Sequence, residues 1–149
     1  LDNTSNNIWI TGLQLEVGSV ATDFAHEPYS TTLAKCQRYL YRINQQASNE
    51  QSVGSGYAKS TTIALISAAH PVTMRAQATV SSGGTLSDID NRAGDATEDT
   101  TAVAVYAAGT TATLLQMTIG SANFTAGEGI VTWIAGGSNG TYIQLSAEI

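Results

Sequence analysis

The side chains in this sequence that could act on a ligand fall into two groups. The first is a run of oxygen donors: Asp88-Ile89-Asp90-Asn91, then Gly94-Asp95, then Glu98 and Asp99. Hard oxygens on a turn-forming loop hold calcium, so Asp88, Asp90 and Asp95 are candidate cation ligands. Arg92 stands at the fifth position and no closing Glu follows, so this is not an EF-hand. The competing reading is a solvated loop of like charges. The second group is aromatic: Tyr57, Tyr106, Trp133 and Tyr142, with Asp90, Asn91, Asn123 and Asn139 as polar companions. Aromatic faces stack on the C–H groups of a sugar ring, while amides and carboxylates bond its hydroxyls. Tyr106, Trp133, Tyr142, Asp90, Asn91 and Asn139 are therefore the candidate ligand-binding set. Trp133 lies in an apolar run, which also suits a core or subunit interface.

Catalysis is poorly supported. The chain has two histidines and one cysteine, Cys36. No second thiol or clustered imidazole is spaced for a metal triad. His70 precedes Pro71 and is biased to extended backbone. His26 and Glu27 fall in an expected linker. Gly54-Ser55-Gly56 is a weak echo of a nucleophile turn and reads as a flexible loop. The acidic run could supply a carboxylate pair for glycosidic cleavage only if strands brought two acids to either side of a bond. The expectation is a non-enzyme that needs no cofactor. Cys36 reads as a small buried apolar residue.

Composition narrows the partners. A net charge of −6 opposes binding to nucleic acid or an acidic membrane surface. No apolar run approaches the roughly 18–20 residues of a membrane span. Leu, Ile, Val and Phe make up only about a fifth of the 149 residues, and much of the apolar content is alanine. Such a chain buries little alone, so an obligate oligomer is expected.

The elements that must position these residues are mostly strands. Ile8 and Ile10, then Leu13, Leu15 and Val17 after a phase shift at Gly12, end an upstream β module that passes into a linker. The chain opens in mid-pattern at Leu1 and reads as part of a longer protein. Leu33, Cys36 and Leu40 give one short helical stripe, placing a helix over about 31–37 with Ser30 or Thr31 as N-cap. Residues 45–60 read as loop, with a short strand after Gly56. Beyond residue 61, period-two alternation predicts strands at 62–66, 72–80, 101–107, 115–119, 130–135 and 141–149. Glycine-rich turns separate them. The predicted fold is all-β: an antiparallel β-sandwich or jelly-roll-like domain with one short N-terminal helix. Residues 1–28 close the upstream module and linker, and 29–149 form the C-terminal domain.

Three pieces of this sequence, in order, resemble the C-terminal segments of bacteriophage tail fibres and related virion adhesins. The first is Ile10-Thr11-Gly12-Leu13-Gln14-Leu15-Glu16-Val17-Gly18 with Ala21-Thr22 and Phe24, followed by Leu33, Cys36, Arg38 and Tyr39. The second is Pro71-Val72-Thr73-Met74-Arg75, and the third is Ser146-Ala147-Glu148-Ile149. About half the chain is covered. His26-Glu27 and Leu40 depart from the usual pattern, and residues 81–142 carry little of it. The resemblance implies a homotrimer on the virion, outside the cell, joined to upstream fibre domains, with Tyr39 and Tyr41 packing near the three-fold axis. It further implies binding to a host cell-surface polysaccharide or protein. The alternative is a purely structural virion module: a trimerisation tip, head fibre or decoration protein.

Overall fold

The computed structural model describes residues 13–20, 22–24, 26–94, 96–137 and 140–148. Within them lie one α-helix, α1 (Tyr29–Gln37), and nine strands. The strands are β1 (Leu40–Asn44), β2 (Gln51–Ala58), β3 (Ile63–Ala69), β4 (Thr79–Gly83), β5 (Ile89–Ala93), β6 (Ala96–Ala108), β7 (Ala112–Ile119), β8 (Gly129–Ile134) and β9 (Tyr142–Ser146). All pairings are antiparallel. The fold is all-β with one short helix, as the alternation predicts. The strand order, however, is not two open facing sheets. Six strands close a barrel in the order β2-β3-β7-β6-β5-β8, and β1-β9-β4 forms a separate sheet.

Closure needs strands that bend, and a strand bends where an extra residue is inserted. Register shifts fall between Ser52 and Gly54 on β2, and at two points on the 13-residue β6, between Thr100 and Ala102 and between Val105 and Ala107. Thr101 and Tyr106 are thus the two extra residues of β6. The interior is filled by alternate side chains: Ile66 of β3, Leu115, Met117 and Ile119 of β7, Ile89 of β5, and Ile130 and Ile134 of β8. Ile43, Ile143 and Leu145 of the three-stranded sheet belong to the same hydrophobic cluster. One polar set shares this interior. Asn91 is fully buried; its amide donates to Thr100 Oγ1 at 2.7 Å and to the Glu98 carbonyl at 3.3 Å. It accepts from Thr132 Oγ1 at 2.8 Å. A buried amide is tolerable only when its hydrogen bonds are made, and here both ends are used.

Several expectations shift. Residues 45–60 were expected to loop, yet β2 runs through Gly54-Ser55-Gly56. Its backbone passes so close to β3 that a Cβ on Gly56 would lie 1.8 Å from the Leu65 carbonyl oxygen. The alternation at 72–78 is not a strand, and pairing begins at Thr79. Pro71 offers no N–H, while Met74 N–H and Arg75 N–H bond singly to the Thr110 and Arg38 carbonyls rather than in a ladder. The acidic run is not a loop either. It folds into the β5–β6 hairpin, in which Ala93 pairs with Ala96 and Gly94 takes φ +57.

The helix begins at Tyr29, two residues earlier than expected, with Pro28 rather than Ser30 or Thr31 at the N-cap position. Glu27 accepts from Thr32 Oγ1 at 2.9 Å and pairs with Lys35, placing a carboxylate beside the positive end of the helix. No residue of α1 is buried. Cys36, expected inside, is exposed. Leu33 and Tyr39 are exposed as well, and Leu13 and Leu15 reach 86% and 99% exposure. The expected strand at Ile8 and Ile10 lies outside the described residues.

Candidate functional site

Register brings the strongest candidates together. Asp90 on β5 lies opposite Trp133 on β8 and opposite Asp99 on β6; Trp133 in turn lies opposite Ser52 on β2. Directly paired residues share a face. Thr132, Ile134, Ile89 and Asn91 point inward, so Ser52, Trp133, Asp90 and Asp99 form a row across the outside of the barrel. The row runs into a cavity of about 350 Å³ lined by Thr97, Glu98, Asp99, Thr101, Gly120 and Ser121. The cavity opens where β6 bulges at Thr101, a common position for a bulge beside a working surface.

Electrostatics mark the centre of the row. Burial, and then the charge of Asp99 across the ladder, raise the Asp90 pKa above its ordinary value; Glu50 and Asp88 add to this, while the Trp133 side chain pulls the other way. The indole Nε1 is itself buried and makes no hydrogen bond of good geometry, so it moderates the carboxylate's charge without pairing with it fully. Arg92, two residues along β5, is exposed and donates from Nε to the Gly94 carbonyl at 3.0 Å.

The raised Asp90 pKa makes a testable statement about stability. The folded state holds this proton more tightly than the unfolded chain, so the charge penalty is absent well below the ordinary carboxylate range. It grows as pH rises and is complete above the raised folded value. Asp90→Asn should therefore stabilise the fold at pH 7 by about 0.2–1 kcal/mol, the range for like charges facing across a ladder. Thermal unfolding of both proteins across pH checks this; the gain should vanish in strong acid, and an equal gain at every pH would contradict the assignment.

The other candidates sit elsewhere. Tyr142 overlies Gly83, and the Arg42 guanidinium carbon lies 4.1 Å from its ring centroid. Arg42 also bonds Gln144, so it is held over the ring. Tyr106 has Lys59 Nζ 4.6 Å from its centroid. Each of these faces already carries a cation. Tyr57 is exposed on β2, and Asn123 donates to Glu98 Oε1 at 2.6 Å, at the margin of the cavity. Asn91 is corrected outright: wholly buried and bonded, it cannot reach a surface ligand. Asn139 lies outside the described residues.

The calcium reading weakens on geometry. Asp88 Oδ2 accepts from Thr141 Oγ1 at 2.8 Å and from Gln45 Nε2 at 3.3 Å, tying the turn before β5 to the three-stranded sheet. Asp95 lies outside the described residues. Among the described residues no three His, Cys, Asp or Glu side chains converge to hold a metal.

His70 is pinned at both ring nitrogens. Nδ1 lies 3.0 Å from the Thr110 carbonyl, and Nε2 lies 3.0 Å from Thr113 Oγ1. A carbonyl only accepts, so in the neutral ring Nδ1 carries the proton. Ser55 sits in mid-strand opposite Ser67 and Val131, not on a strained turn.

Sequence reasoning named Trp133 and Asp90 but missed Asp99 as the cross-strand partner of Asp90, and it missed the cavity residues Thr97, Thr101, Gly120 and Ser121. No composition signal marks those four; a bulge and a register place them. No protein-family model matches the chain, and neither does a curated protein or a solved structure.

Proposed function

We propose that this chain is the distal receptor-binding module of a bacteriophage tail fibre or related virion protein, assembled as a homotrimer and gripping a host-surface glycan. The observation that carries the binding half is the outer row Trp133–Asp90–Asp99 running into the polar cavity. A half-buried indole beside hydrogen-bond acceptors is the combination that holds a sugar ring. A like-charge pair that costs the fold stability is typical of a surface kept for a ligand.

Assembly is supported by exposed apolar residues: Leu13 and Leu15 stand almost fully exposed, and Leu33 and Tyr39 are exposed by more than a third among the described residues. The three sequence segments that resemble fibre proteins point the same way. Binding without bond cleavage is the reading adopted. Asp90 and Asp99 stand side by side on one wall, whereas glycoside hydrolysis needs carboxyl groups flanking the scissile bond.

A second reading, a structural virion module without a receptor, draws on the same exposed apolar stretch. Two measurements on the full chain separate them. Sedimentation should give the mass of three chains, and immobilised bacterial surface polysaccharide should retain the protein. A trimer that no surface glycan retains would favour the structural module. A stable monomer would count against both.

A further inference from the structure

The glycan's identity is constrained further by what the row and cavity can accept. Trp133 on β8 and the cavity beyond β6 lie about two to three strand spacings apart, roughly 10–14 Å. A disaccharide bridges that length and a single sugar ring does not. The charged groups a ligand would meet are carboxylates, which accept hydrogen bonds, with the hydroxyls of Thr97 and Ser121 among them. Thr101 Oγ1 donates its proton to the Thr118 carbonyl at 3.0 Å, leaving its lone pairs outward. Glu98 Oε1 takes the Asn123 amide, leaving the second carboxylate oxygen. Asp99 belongs to both row and cavity. A surface of carboxylates and hydroxyls calls for a ligand rich in donors that can also accept, and sugar hydroxyls do both.

Counter-cations are scarce. Of six basic residues, four are engaged elsewhere: Lys35 with Glu27, Arg42 over Tyr142, Lys59 over Tyr106 and Arg75 beside Tyr39. Arg92 shares the outer face of β5, opposite Thr97 of the cavity, and gives its Nε to the Gly94 carbonyl. A ligand carboxylate, sulfate or phosphate would face Asp90, Asp99, Glu98 and Glu50, four carboxylates set against this one arginine. Discrimination by unpaired like charge is a common route to specificity.

We infer that the row and the cavity are two subsites of one groove, which takes an oligosaccharide of at least two sugar residues without acidic substituents and excludes acidic polysaccharides. This rests on the glycan-binding reading above. The test is a printed array of bacterial surface glycans, neutral and acidic, probed with the full chain and with two variants. The expected result is retention by neutral glycans of two or more residues only. Ser121→Phe, which fills the cavity from an exposed position, should weaken that binding about tenfold while the melting temperature holds. Asp99→Arg should admit acidic glycans.

Binding confined to acidic glycans, or an undiminished signal from Ser121→Phe, would overturn the two-subsite inference and leave the glycan-binding reading standing. No retention of the unaltered chain by any glycan would overturn both.

Discussion

Trp133→Ala is expected to lower affinity for the surface glycan about 30-fold or more. An aromatic anchor at the centre of a contact is worth ~2 kcal/mol or more on truncation, which is that factor. The truncation also removes the packing of a half-buried ring, so thermal unfolding of the variant is read beside binding; the barrel interior beneath, filled by Thr132 and Ile134, is unchanged. Trp133→Phe should fall between the two, keeping a flat face but losing the N–H that moderates Asp90. In a trimer the three sites weaken together, so adsorption to a polyvalent surface should fall more steeply than single-site affinity. Calorimetry with soluble glycan fragments, beside adsorption to whole cells, measures both. Unchanged affinity in Trp133→Ala would remove the row from the binding surface.

Gly56→Ala should destabilise the fold by about 3 kcal/mol or more. The added Cβ would lie 1.8 Å from the Leu65 carbonyl oxygen, 2.8 Å from its carbon and 3.1 Å from Ile66 Cα. All three are backbone atoms, so no side chain can rotate away, and β2 must part from β3 at a closed seam. For a chain of this size the loss corresponds to a melting temperature lower by roughly 6–12 °C. Gly54 is placed similarly, 2.2 Å from the Ser67 carbonyl oxygen. Gly129 is the control: a Cβ there meets nothing within 4 Å, and Gly129→Ala should be neutral or stabilise by up to about 1 kcal/mol. Thermal unfolding of the two variants decides the point. A shift in Gly56→Ala no larger than in Gly129→Ala would mean that the β2–β3 seam is wider than described.

These two residues illustrate what was legible in the sequence. The alternation of Leu115, Met117 and Ile119, and of Ile143 and Leu145, gives β7 and β9 directly, because one face is apolar and the other polar. Gly54-Ser55-Gly56 reads as flexible loop for an equally good local reason. Glycine in a strand signals close backbone approach only once the neighbouring strand is known. At 72–78 the period of two is genuine, and Met74 and Ala78 are buried while Arg75 and Gln77 are exposed. Periodicity reports which side chains face inward; it does not report whether a ladder partner exists.

The acidic run misleads in the opposite sense. Ile89, Asn91 and Ala93 alternate as an inward face, but asparagine in the middle disguises it, because its amide is satisfied only across the ladder, by Thr100 and the Glu98 carbonyl on β6 and by Thr132 on β8. A facing pair of aspartates also argues against pairing, yet its penalty of about 0.2–1 kcal/mol is small beside the burial of Ile89. The site was legible as residue types. Trp133 and Asp90 are what sugar binding asks for, but only the register of β5 against β8 and β6 makes them neighbours, and no pattern within one strand carries that.

The most direct test of the binding row is optical. The chain has two tryptophans, Trp9 and Trp133, so Trp9→Phe leaves the indole of the row as the sole reporter. Titrating that protein with neutral oligosaccharide from a bacterial surface polysaccharide should shift or quench the emission of Trp133 saturably, with the midpoint at the affinity found by calorimetry. Binding by calorimetry with an unmoved Trp133 signal would place the glycan elsewhere on the molecule and contradict the account.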